Sequence, residues 1–174
     1  ERKIFLFLIA FFFYIDGVYT IIDMATAFGS ALGFTSTTLL LALLLTQIVA
    51  FPCALLFGWL APKYENGTLI RICIVAYGAI ALFAVQLDKS WEFWFLAVCV
   101  GMFQGGIQAL SRAYFAKIIP AEKSGEYFGL YDIFGKGAAF MGTTLVGFGA
   151  QLTGSLNIGV SVIFVLFVIG FLLF

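Results

Sequence analysis

The stretch GLYDIFGKGAAFMG, residues 129–142, places Asp132 and Lys136 one turn apart in a helical run of glycine, alanine and aromatics. The chain around them is almost all hydrocarbon: 174 residues, 63% hydrophobic and 10% charged, with mean hydropathy +1.12. A soluble domain is about 45–50% apolar and about 25% charged. The solvent of this chain is therefore lipid. An ionised side chain at mid-bilayer costs about 2.5–3.5 kcal/mol on insertion scales, and such groups line substrate or ion pathways. The chemistry they suit is binding of a polar solute and relay of a proton. Asp16 is the first candidate for the relay, because a desolvated carboxyl holds its proton and can carry it across. Asp23, seven residues on, shares its helical face, and Tyr14, Tyr19 and Tyr131 are candidates to line the same space.

The same composition excludes much. A formal net charge of zero gives no hint of nucleic acid or of an acidic partner. Histidine is absent, which removes His-dependent hydrolase triads and the usual zinc and haem ligation. Cys53, Cys73 and Cys99 lie far apart inside apolar runs, an odd set without C-x-x-C, and read as packing residues. No cofactor or metal is implied, and the chain is not expected to be an enzyme.

Positioning these groups takes membrane-spanning helices of about 20 residues each. Six segments qualify, about 4–28, 36–61, 68–87, 92–117, 127–151 and 157–174, joined by short polar connections. Arg2, Lys3, Lys63, Arg71, Arg112, Lys117 and Lys123 all fall on one side of this arrangement and Lys89 on the other. The positive-inside rule then puts both termini in the cytoplasm of a multi-pass protein, in a cell inner or plasma membrane. The chain opens ERKIFLFLIA with no initiator Met and ends VLFVIGFLLF with no polar tail; both ends read as cuts in a longer chain.

An internal repeat organises the six spans. Shifted by about 88 residues, the first span lies on the fourth, with Phe5 on Phe93, Leu8 on Leu96 and Gly17 on Gly105. At nearly the same offset the second lies on the fifth, with Ala50 on Ala139, Phe51 on Phe140 and Gly58 on Gly147. Units of three spans enter the membrane from opposite faces, so the expectation is an all-α membrane protein built as two inverted three-helix repeats, about 1–88 and 89–174. This is the plan of half a major facilitator transporter.

At about 1.5 Å of rise per residue, Asp16, Gln47, Gln104 and Lys136 all fall near the midplane of a core about 30 Å thick. Gln108 lies one turn beyond Gln104. The third and sixth spans carry almost nothing polar at that depth and read as lipid-facing supports. The alternative for the charges is structural: Asp16 neutralising Lys136, or Asp132 bonding Lys136 at i, i+4. Gly101/Gly105 and Ala138/Gly142 have the small-xxx-small spacing of close helix packing.

Residues 101–142, with ALSRAYFAKIIP and YFGLYDIFGK, resemble the vacuole-effluxer-like branch of the major facilitator superfamily. The resemblance implies the second six-helix half of a twelve-helix transporter. Its partners would be lipid, the missing N-terminal half and a small polar solute, an amino acid or similar metabolite, moved by alternating access with proton coupling. GWLAPKYENG is similar to the superfamily's cytoplasmic loop at Gly58, Leu60, Ala61 and Lys63, but has Pro62 and Glu65 where that loop has Asp and Gly. The matching second loop suggests Arg112 pairing with Glu122 or Glu126. The isolated half is expected to self-associate. The other readings are a non-transporting scaffold or a channel, although no Asn-Pro-Ala half-helices occur. An intramembrane protease lacks its histidine or its G-x-G-D setting.

Overall fold

The computed structural model describes residues 2–174. Among them are six α-helices and no strand: α1 (Arg2–Ala31), α2 (Ser36–Leu60), α3 (Asn66–Val85), α4 (Ser90–Ile118), α5 (Ser124–Thr153) and α6 (Leu156–Leu173), with one 3₁₀ turn at Ala121–Lys123 before α5. The protein is all-α and membrane-embedded. Five of the helices are long and apolar enough to cross a bilayer. The exception is α5. It has the length, but Glu126, Asp132, Lys136 and its many glycines and threonines leave no window as apolar as its neighbours.

Helix ends follow local chemistry. The Thr35 hydroxyl accepts from the Thr38 N–H and caps α2, while Glu92 accepts from the N–H groups of Asp88 and Lys89 at the start of α4. Gly154, at φ 69°, closes α5 in the left-handed conformation that glycine adopts without a Cβ clash.

The central helix is α1, which packs against α5 on one side, α6 on another and α4 more lightly. α2 lies along α4, and α3 bridges α4 and α6. Consecutive α2 and α3 do not lie along one another, so α4 is the main support of α2. α2 accordingly buries only Leu39, Ala42, Thr46 and Ala50, a single stripe, and leaves Leu40, Leu44, Ile48, Phe51 and Leu55 on the surface.

That support rests on glycine. A Cβ on Gly101 would stand 2.6 Å from the Thr46 carbonyl, and one on Gly105 would stand 2.8 Å from the Ala54 side chain. Without them the backbones close in, as small residues allow in lipid. The Thr46 hydroxyl then reaches across to donate to the Ala97 carbonyl at 3.2 Å. Gly17, beside Asp16, has the ring of Phe167 packed on it, and α1 runs through this point unbroken.

Two aromatic layers fix the remaining contacts. Phe11 stacks on Tyr131 at 4.1 Å, and Phe115 meets Phe7 at 5.5 Å and Tyr131 at 5.1 Å, tying α1, α4 and α5 together. Such pairs add about 0.5–1.5 kcal/mol each beyond their burial. Tyr77 of α3 stacks on Phe167 of α6 at 5.5 Å. Helices α3 and α6 do present Ile72, Val75, Ile158 and Val165 outward, but each buries a full inner face as well.

Candidate functional site

One polar cleft of about 310 Å³ opens between α1, α4 and α5. From α1 come Tyr19 and Asp23, from α4 Arg112, and from α5 Asp132 and Lys136; Phe11, Tyr131, Gly135 and Ala139 form its walls. Helical spacing explains the grouping. Tyr19 and Asp23 are one turn apart on α1, and Asp132, Lys136 and Ala139 share one face of α5. Burial of Phe11 and Tyr131 against each other forms the floor beneath them.

Inside the cleft, Arg112 Nη2 lies 3.7 Å from Asp132 Oδ1, with both side chains more than half exposed. The guanidinium also stands 5.8 Å from the Tyr131 ring. In water a pair this open contributes about 0–1 kcal/mol. It therefore orients charge at the cleft more than it stabilises the bundle. Lys136 makes no ion pair among the described residues, so the alternative reading, an i, i+4 bond to Asp132, is not formed. Arg112 reaches Asp132 rather than Glu122 or Glu126, which are exposed in the turn before α5 and in its first turn. Lys63 lies 3.1 Å over the Trp59 ring, an interfacial contact away from the cleft.

The other sequence candidates are placed elsewhere. Asp16 is wholly buried; its Oδ1 accepts from the Thr20 hydroxyl at 3.3 Å, and its carboxylate rests on Gly142 of α5. Tyr14 is buried too and does not reach the cleft, because its hydroxyl is 2.7 Å from Ser111 Oγ, which in turn donates to the Ile107 carbonyl at 2.6 Å. Gln104 and Gln108 are half-buried on α4, and the Gln104 carbonyl oxygen has no partner. Gln47 is exposed on α2. Of the four midplane residues, only Lys136 lines the cleft. Sequence reading missed Thr20 and Ser111, which carry no charge to draw notice, and took Gly142 for close packing without its contact to Asp16.

A second cavity, of about 90 Å³, is apolar and lies between the opposite ends of α1, α2 and α4, with α3 and α6 closing it. Ile21, Phe28, Leu39, Phe93 and Val100 are among its walls; its polar side chains are Thr26 and Thr46, and no charged residue lines it.

A sequence profile of one family, described as "Vacuole effluxer Atg22 like", matches residues 1–174. The chain belongs to the vacuole effluxer Atg22-like family. Over 169 residues it is 48% identical to a Bacillus subtilis (strain 168) protein, "Uncharacterized MFS-type transporter YxiO", covering 97% of this chain and 40% of that protein. It is 32% identical over 158 residues to "Autophagy-related protein 22" of Saccharomyces cerevisiae, covering 84% of this chain and 30% of the yeast protein. "Autophagy-related protein 22-2" of Aspergillus niger is 26% identical over 184 residues. The chain thus spans less than half the length of the Atg22-like relatives it matches.

Proposed function

We propose that this chain is one six-helix half of a secondary transporter of the major facilitator type. It moves a small polar solute, an amino acid or similar metabolite, by alternating access coupled to protons. The observation that carries the reading is the cleft: two acids, two bases and two tyrosines from three helices meet on one side of an otherwise apolar bundle. In lipid, such a set is kept only where it meets water or ligand. The name of the Bacillus relative, an MFS-type transporter, agrees with this.

The helix pairing supports two inverted repeats. Exchanging α1 with α4, α2 with α5 and α3 with α6 maps the α1–α5 packing onto α4–α2, and α1–α6 onto α4–α3. The main departure is the α5–α6 packing, which has no comparable counterpart between α2 and α3. The basic residues favour cytoplasmic termini in a bacterial-type inner membrane or plasma membrane. The second six-helix half would complete the cleft, and without it the open face is expected to self-associate.

The test is uptake of a labelled amino-acid mixture by the full-length protein in proteoliposomes. Lys136→Ala and Asp132→Asn should each lower initial uptake about tenfold, an ordinary size for loss of a charged contact to ligand. Full uptake in both variants would remove the transport role of the cleft and favour the scaffold reading.

A further inference from the structure

Asp16 stands apart from the cleft charges. Among the described residues it is the one acidic side chain with no exposure. One hydroxyl, that of Thr20, donates to Oδ1 at 3.3 Å, and Oδ2 has no partner. The carboxyl is pressed onto Gly142, where any Cβ would collide with both Asp16 Oδ1 and Thr20 Oγ1.

The groups around it offer no counter-charge. α5 brings Gly142 and, six residues earlier, Lys136, which lines the cleft without pairing with Asp16. α6 places Phe167 on the adjacent Gly17 and has no ionisable residue. α4 commits Ser111 to Tyr14 and Arg112 to Asp132. α3 contributes Tyr77, bonded to the Val100 carbonyl, and the buried Cys73. On α1 itself, Tyr19 and Asp23 point into the cleft one and two turns further along. A buried carboxylate with one hydroxyl donor and an idle oxygen takes up a proton rather than remain an unpaired ion.

We propose that Asp16 is a proton-binding site governed by the α1–α5 contact, an inference that rests on the transporter reading above. While α1 lies on Gly142 the side chain is a neutral carboxylic acid. When α1 and α5 part, water from the cleft reaches it, the O–H bond breaks, the proton passes to that water and a hydrated carboxylate remains. The contact cannot re-form until a proton returns. Gly142 is what allows the seat, and the neighbouring cleft supplies the water.

Infrared spectroscopy of the full-length protein in lipid tests protonation directly. At about pH 6 exposed carboxyls, with ordinary pKa near 4, are ionised. A protonated-carboxyl C=O band should persist there and be lost in Asp16→Asn. No such band, or a band untouched by Asp16→Asn, overturns the proposal. Should Asp16→Asn fail to fold, Gly142→Ala puts a methyl against the same group: a shifted band supports the assignment and an unmoved one overturns it. In vesicles given a labelled amino-acid mixture, Asp16→Asn should keep solute exchange while gradient-driven accumulation falls about tenfold, within the usual range of coupling. Unchanged accumulation, or joint loss of exchange and accumulation, counts against the site. A parent protein that transports nothing would instead refute the function proposed above, and the infrared bands would still report on Asp16.

Discussion

At the residue scale, the cleft places Asp23, Arg112, Asp132 and Lys136 around one space with two tyrosines between them. Because the Arg112–Asp132 pair is open to solvent, removing either partner should leave thermal stability in detergent nearly unchanged, within about 1 kcal/mol. Its effect belongs to transport: exchanging the two residues, as Arg112→Asp with Asp132→Arg, should recover more uptake than either single change. Uptake in the double variant no better than in the singles would show that the pair is not a unit. Asp132 and Lys136 were legible in the sequence because a charge inside an apolar run is an anomaly on any reading. Asp16 was legible as buried and deep, but its seat on Gly142 was not. That contact joins helices remote in sequence, and nothing local encodes it. Tyr14 shows the same limit: its type and spacing fit the cleft, yet rotation of α1 turns it to Ser111.

At the element scale, the weight falls on how α2 is held. It packs chiefly on α4, across Gly101 and Gly105. Gly101→Leu or Gly105→Leu should force the two helices apart and lower stability by about 1–3 kcal/mol, the usual cost of overpacking. Thermal unfolding of the full-length protein in detergent checks it, with Gly58→Ala as the control, since nothing lies within 4 Å of a Cβ at Gly58. Equal midpoints for all three variants would contradict the packing described. The order of the helices, and the turns between them, could be read from hydropathy alone. Their ends could not, because α1 and α5 continue two or three residues past each end of the apolar segment that marks a span. Also unreadable was that α2 and α3, neighbours in sequence, do not pack along one another, α2 lying on α4 and α3 on α4 and α6.

At the scale of the whole molecule, the chain reads as a wall of helices with polar groups gathered on one side. α1 is the most enclosed span, with 61% of its apolar window buried, against 22% for α2. An enclosed α1 and an α2 held along a single stripe with its other faces exposed suit a half that works against a second half. Expressed without that half, the chain should elute from size exclusion in mild detergent as a dimer or larger; a strictly monomeric mass would show that the open face needs no cover. The family resemblance in residues 101–142 and the count of six helices were both legible from the sequence, although only five of the helices are apolar enough to qualify as spans. Convergence of four midplane residues on one cleft was not what the fold delivers, since helix rotation, invisible to depth counting, decides which way each side chain turns.

Whether the space between α1, α4 and α5 is an aqueous path can be measured without knowing the solute. In the full-length protein with Cys53, Cys73 and Cys99 replaced, a single cysteine is placed at Ala139, in the cleft wall, or at Val165, on the outer face of α6. A membrane-impermeant, water-soluble thiol reagent should label Ala139→Cys readily and Val165→Cys hardly at all. Labelling of Val165→Cys as fast as Ala139→Cys, or none at Ala139→Cys from either side of the membrane, would contradict a water-filled cleft.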